Sequence, residues 1–402
     1  MLGQSPLSMM RPQGGRTRRE PLAGAGRRRR LWLVLLPLAA VVVLACGWSW
    51  LWYFAATTAE RSLADWVARE EAAGRVYRCA AQGITGFPFR LEASCSKATA
   101  ELNSNRPPYA IGLTALDVIT EIYYPTRLVA DLTGPLTLTE PNQTTGFVAN
   151  WSQARMAVHG LLPTPDRADA EIVKLRVDRA PGAAASPLYA ADSASFEGNI
   201  VAGSALKNPV IETVLRLSAA SAPTLHALLA EPLQGDVDAV WRGFKDLLPK
   251  PMSERFREMH DAGGQIEIKA LRLERADTIV VGTGTLSVNA HGKLDGLLSV
   301  GIVGIEHIVP LLGIDKAIGQ GIDRLAGAAG QPALGIGGLD RLLPGLSGVV
   351  RQTATVGLID NLKKMGQPTE IDKKPGIVLP LRVSDGSVYL GMVPLGEVPP
   401  LF

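Results

Sequence analysis

Arg127–Thr139, RLVADLTGPLTLT, sets Leu128, Ala130, Leu132, Leu136 and Leu138 at alternate positions, with Val129 the one apolar exception among the charged, hydroxyl and turn residues between them. Apolar residues at every second position put one set of side chains on one face of a strand. The period is that of a half-buried β-strand. Gly146–Gly160, GFVANWSQARMAVHG, and Ala170–Ala180, AEIVKLRVDRA, repeat it with turn residues between, as antiparallel hairpins do.

The pattern returns after Gly264. Gln265–Ala276 (QIEIKALRLERA), Asp277–Gly304 (DTIVVGTGTLSVNAHGKLDGLLSVGIVG) and Gly376–Gly396 (GIVLPLRVSDGSVYLGMVPLG) alternate, and Ser384-Asp385-Gly386-Ser387 supplies the turn of a last hairpin. Between the two β-rich stretches the spacing turns helical. Leu225, Leu228 and Leu229, then Val240, Trp241, Phe244 and Leu247, then Phe256 and Met259 predict helices broken at Pro232 and Pro249. Two more helices are expected within Ile305–Leu362, where Gly313, Gly319, Gly321 and Gly327 weaken the first. The expected fold is α+β and β-rich: antiparallel meander sheets with a central helical insert, preceded by one N-terminal transmembrane helix. The divisions are 1–30, a basic tail; 31–56, the span; 57–74, a stalk helix; 75–207, a β-rich first half; 208–263, the helical insert; and 264–402, a β-rich second half with helices.

The span is Leu31–Ala56, LWLVLLPLAAVVVLACGWSWLWYFAA, which has no charged residue. At ~1.5 Å per residue it makes a helix of about 39 Å against a hydrocarbon core of ~30 Å. Trp48, Trp50, Trp52, Tyr53 and Phe54 crowd its far end, as headgroup-level rings do. Residues 1–30 carry eight Arg against the single Glu20, a charge of +7, so in a chain of net +3 the remainder is −4. By the positive-inside rule the tail stays cytoplasmic and everything after Ala56 is exported. A cleaved signal peptide, with its shorter apolar run, and a lipoprotein signal at Val43-Leu44-Ala45-Cys46 are alternatives, and both also export the remainder. The exported part is mildly acidic, which argues against nucleic acid as a partner.

Cys79 and Cys95, sixteen residues apart, are the only cysteines besides Cys46. An even pair in an exported chain reads as a disulfide, with Gly83, Gly86 and Pro88 turning the hairpin between them. Within that hairpin, Gly86-Phe87-Pro88-Phe89-Arg90 is the motif with readable mechanics. Gly86 permits an unusual backbone angle and Pro88 fixes φ. One reading is a hairpin that locks the core; the other has Phe87 and Phe89 lining an apolar groove with Arg90 at its rim for an anionic headgroup.

Catalytic signatures are sparse. The five histidines, at 159, 226, 260, 291 and 307, have no metal-site spacing, and neither a nucleophile elbow, a Walker A loop nor a dinucleotide fingerprint is present. No catalytic, cofactor-binding or metal-binding residue is therefore nominated.

The Arg-rich start with its single span, the Cys79 to Cys95 hairpin around Gly86-Phe87-Pro88-Phe89-Arg90, Tyr123-Tyr124-Pro125-Thr126-Arg127, and the closing Leu379–Gly396 together resemble the bacterial envelope family called domain of unknown function 2125. That resemblance implies an alphaproteobacterial source, an inner membrane and a periplasmic body, without an established activity. The anchored meander is more loosely similar to AsmA-related envelope proteins, thought to handle lipids. The expected role is a non-catalytic envelope binding or structural module with the inner-membrane bilayer, a lipid ligand and envelope proteins as candidate partners. The alternatives are a periplasmic hydrolase with a dispersed site and a scaffold for an envelope complex.

Overall fold

The computed structural model describes residues 25–103, 108–140, 146–161, 164–180, 187–309, 357, 359–391 and 393–402. The chain forms two units, the first ending at Thr57 and the second running Thr58–Phe402.

The first element, α1 (Ala25–Ala72), is one helix of 48 residues, and among the described residues it alone is long and apolar enough to cross a membrane. The stalk expected at 57–74 is not a separate helix but the continuation of α1, because nothing between Ala56 and Thr58 breaks it. Gly74, at φ 79°, stops it. From Thr58 on the helix belongs to the second unit, within which the Trp66 ring lies 4.8 Å from that of Tyr77 and Arg75 Nε donates to Glu70 Oε2 at 2.5 Å.

The second unit is an antiparallel meander. Its strands are β1 (Arg75–Arg78), β2 (Ala81–Thr85), β3 (Arg90–Leu102), β4 (Tyr109–Glu121), β5 (Tyr124–Thr139), β6 (Gly146–Asn150), β7 (Gln153–His159), β8 (Arg167–Ala180), β9 (Tyr189–Ser204), β10 (Lys207–Ala220), β11 (Leu233–Trp241), β12 (Ile266–Arg275), β13 (Thr278–Val288), β14 (Leu294–Val303), β15 (Gln367–Ile371), β16 (Lys374–Ser384), β17 (Ser387–Leu390) and β18 (Val393–Glu397). All belong to one sheet. β1 and β2 lie end to end along β3, and β6 and β7 share the strip between β5 and β8. β15 and β17 both pair with β16, whose other neighbour is β14. The Asp385-Gly386 hairpin forms where expected, with φ of 48° and 78° closing Ser384 against Ser387.

The helical insert over 208–263 needs correction. β10 crosses its expected start and β11 occupies its middle, pairing with β10 on one side and β12 on the other. The Leu225–Leu229 spacing yields a single 3-10 turn, Ala227–Leu229, and Val240 and Trp241 end a strand. Only the third expected helix exists, as α2 (Met252–Asp261). The reason is pairing: Ile211, Thr213, Leu215 and Leu217 on β10 meet Trp241, Ala239, Val237 and Gly235 on β11, and long-range partners outweigh local periodicity. With β10 and β11 in place the two expected halves are one continuous sheet. Of the helices expected within 305–362, α3 (Ile305–Ile308) is a single turn, and residues 310–356 lie outside the described residues. Residues 359–365 are helical.

Two hydrophobic clusters close the C-terminal part. One gathers Val300, Ile302, Ile305, Leu362 and Leu379; the other gathers Ala239, Met259, Ile266 and Val288. α2 and α3 both meet the sheet at β13.

Candidate functional site: an apolar sheet face ending in an aromatic tip

Register identifies the site. Residues directly opposite each other in an antiparallel pair share a face. From β3, Ala93 sits opposite Val118, Val118 opposite Ala130, Ala130 opposite Met156, Met156 opposite Ala170 and Ala170 opposite Phe196. The row continues through Leu215, Val237, Leu271, Gly282 and Val300 to Leu379 on β16. None of its members carries a polar side chain.

One residue along, the row on the opposite face reads Ser94, Asp117, Asp131, Arg155, Glu171, Ser195, Arg216, Asp236 and Arg272. It is held by cross-strand ion pairs, with Arg155 Nε 2.6 Å from Asp131 Oδ1 and Arg216 Nε 3.7 Å from Asp236 Oδ1. The hydrogen bond to Asp131 is the leading cause that pushes the Arg155 pKa up. Over β3–β12 the sheet thus has a charged face toward water and an apolar face that needs cover, while beyond Arg272 the second row continues through the apolar Val281, Gly301 and Val378.

Among the described residues, cover lies at one end. Val300 is 6% exposed and Leu379 0%, whereas Met156 is 48% and Phe196 40% exposed. Neither hydrophobic cluster includes a residue of β3–β10.

The Gly86–Arg90 motif sits at one end of this sheet, as the turn from β2 to β3. Gly86 has φ 101°, and a Cβ there would come within 2.7 Å of the Arg90 carbonyl oxygen, so glycine is required. The hairpin does not lock the core: Phe87 and Phe89 are 56% and 62% exposed, because the turn projects past the last paired strand residues. Beside it lies the β4–β5 turn, with Ile122 N–H donating to Phe89 O at 3.0 Å and Arg90 opposite Glu121. That turn exposes Tyr123 and Tyr124 at 66% and 56%. The second motif in the sequence is therefore the neighbour of the first, a proximity that only the β3–β4 register discloses. Cys79 and Cys95 form the expected disulfide, Cα to Cα 5.4 Å, where the edge passes from β1 to β2.

A shallow depression of 490 Å³ on the sheet includes Arg127, His159, Arg167, Asp169, Ser195 and Glu197. His159 Nε2 lies 2.9 Å from Asp169 Oδ1, half of a nucleophilic constellation. The register denies Ser195 the role of the other half. His159 is opposite Arg167, which is opposite Asn199, so Ser195 lies four residues along and two strands across. At ~3.3 Å per residue and ~4.8 Å per strand the separation is on the order of 16 Å, far beyond a hydrogen bond. Of the other histidines, His226 Nδ1 accepts from Leu228 N–H and His260 Nδ1 lies 2.9 Å from Val288 O. Among the described residues no group of three or more His, Cys, Asp or Glu is placed to hold a metal ion.

The chain matches the family described as an uncharacterized protein conserved in bacteria (DUF2125) over residues 52–399. No curated protein and no solved structure matches it.

Proposed function

Since the chain belongs to this family of uncharacterized bacterial proteins (DUF2125), we propose that it is a membrane-anchored, non-catalytic envelope module that holds lipid acyl chains against the apolar face of β3–β10. The observation that carries the reading is the unbroken apolar row from Ala93 to Phe196, with its large members exposed and neither hydrophobic cluster reaching it. An apolar face of this extent, left uncovered by the described residues and backed by a charged row, supports a binding surface. In this reading Leu31–Ala56 crosses the inner membrane and the Arg-rich tail stays in the cytoplasm. The body stands in the periplasm of an alphaproteobacterium, where an oxidising compartment suits the Cys79–Cys95 bond. The looser likeness to AsmA-related proteins points the same way.

Native mass spectrometry of the full chain released from membranes in mild detergent tests the proposal. Phospholipid is expected to remain bound, and Met156→Asp with Phe196→Asp is expected to remove it while leaving the melting temperature within a few degrees. A chain that carries no lipid, or a double variant that keeps it, would overturn the acyl-chain reading.

A further inference from the structure

The Cys79–Cys95 bond stands on an open edge of the sheet. Among the described residues β1 and β2 pair with β3 alone, so their outer sides carry no strand. Residues 78–83, which contain the step from β1 to β2, are all exposed, Cys79 among them, whereas Cys95 on β3 is half-buried. The two edge strands are held in different ways. β1 is half-buried from Arg75 to Tyr77 and is tied to α1 by the Trp66–Tyr77 ring contact and by two hydrogen bonds from Arg75 to Glu70. β2 has a single half-buried residue, Ile84. With so little apolar burial, what keeps it on β3 is five paired positions, the Ser94 and Ser96 hydroxyls donating to Gly83 O and Ala81 O at 3.5 and 3.4 Å, and the covalent bond at its entry.

Two cations flank the bond. Arg78 precedes Cys79 and Lys97 follows Cys95 by two residues; both are exposed, and among the described residues neither is in an ion pair. Of the carboxylates nearby in register, Glu92 lies 3.6 Å from Arg90, Asp117 is opposite Ser94 and Glu101 is opposite Val76, so none is next to or opposite either cysteine. Cations beside a cysteine favour its thiolate, which makes that sulfur a better leaving group and draws in an attacking thiolate.

We infer that the Cys79–Cys95 bond is a reversible redox switch, opened by a dithiol at the exposed Cys79 and releasing β2 from β3 while β1 stays against α1. Exposed disulfides are the labile ones, because exchange needs access to a sulfur. A thiolate of the dithiol attacks Cys79 Sγ; a new S–S bond forms as the Cys79–Cys95 bond breaks, and Cys95 leaves as a thiolate that takes a proton from water. The second sulfur of the dithiol, as its thiolate, then attacks the mixed disulfide, and Cys79 leaves and is protonated in turn. The chain gains the two electrons and two protons that the dithiol loses. Opening uncovers the backbone of residues 92–96 on β3, the strand that starts the apolar row at Ala93. The switch operates whether or not that row holds lipid.

The test uses the full chain in mild detergent without denaturant, with dithiothreitol as the probe. Cys46, free and exposed, is first blocked with iodoacetamide. On reduction, N-ethylmaleimide should label positions 79 and 95 while the chain keeps a cooperative melting transition. Amide exchange at residues 81–85 and 92–96 should rise by at least about tenfold and that at 75–77 should not. Oxidised dithiothreitol should restore both the bond and the protection. Arg78→Gln with Lys97→Gln should slow the reduction severalfold without moving the melting temperature of the oxidised chain. Reduction seen only where denaturant unfolds the whole chain, an opened bond with β2 still protected, or β1 released together with β2 would each overturn the switch. An unchanged reduction rate in the double variant would overturn the part given to Arg78 and Lys97.

Discussion

Met259 is fully enclosed, clustered with Ala239, Ile266 and Val288, and Phe256 and Trp241 pack against that cluster. Truncating such a side chain loses its transfer energy and leaves a cavity. Met259→Ala is expected to cost about 3 kcal/mol in thermal or urea unfolding of the detergent-solubilised chain. Leu225→Ala should change stability by less than about 0.5 kcal/mol, as exposed substitutions do. Glu70 carries a different signal. Its hydrogen bond from Arg75 holds its carboxyl below the usual range, opposed by burial. A carboxylate whose pKa falls on folding stabilises fully above its unfolded value of about 4.3 and loses that contribution as pH falls through the folded value. The stability difference between the unaltered chain and Glu70→Gln should therefore be constant near neutrality and shrink on acidification below about pH 4; a difference that grows there would contradict the assignment. At this scale the sequence was partly legible. The Cys79 and Cys95 partnership followed from count and the expected export, whereas the exposure of Phe87 and Phe89 did not: Gly-Phe-Pro-Phe-Arg reads first as a hairpin that locks the core, and nothing local tells a buried turn from a projecting one.

Among the elements, the strands announced themselves and the insert misled. β5, β8, β12 and β16 alternate cleanly, and the Asp385-Gly386 turn is visible in two letters. The Val240 and Trp241 that end β11 fall in step with Phe244 and Leu247 at helical spacing; only the register with β10 and β12, tens of residues away, decides between the periods. Two elements give direct tests. The Cys79–Cys95 bond closes a loop of sixteen residues, and Cys79→Ser with Cys95→Ser should lower stability by about 3 kcal/mol, read from unfolding under non-reducing conditions. In the last hairpin, Gly386 has φ 78° and a Cβ would approach Val398 O to 2.7 Å. Gly386→Ala should cost roughly 1–3 kcal/mol and increase amide exchange at β17 and β18.

Across the whole second unit, one sheet has two unlike ends. β11 to β18 are packed by α2, α3 and residues 359–365 into hydrophobic clusters, and among the described residues β3–β10 present the same apolar row without such packing. The alternation of each strand was readable, so the existence of an apolar face was too; which part of it is covered depends on the pairing order and on where the helices land, and no local pattern encodes that. The most direct test uses neighbours that face opposite ways on one strand. With p-benzoylphenylalanine placed in turn at positions 155, 156, 195 and 196 of the full chain in native membranes, lipid adducts are expected at 156 and 196, on the row of Met156 and Phe196. Positions 155 and 195, on the charged row of Arg155 and Ser195, should show none above background. Equal labelling of both faces, or none on either, would contradict the account.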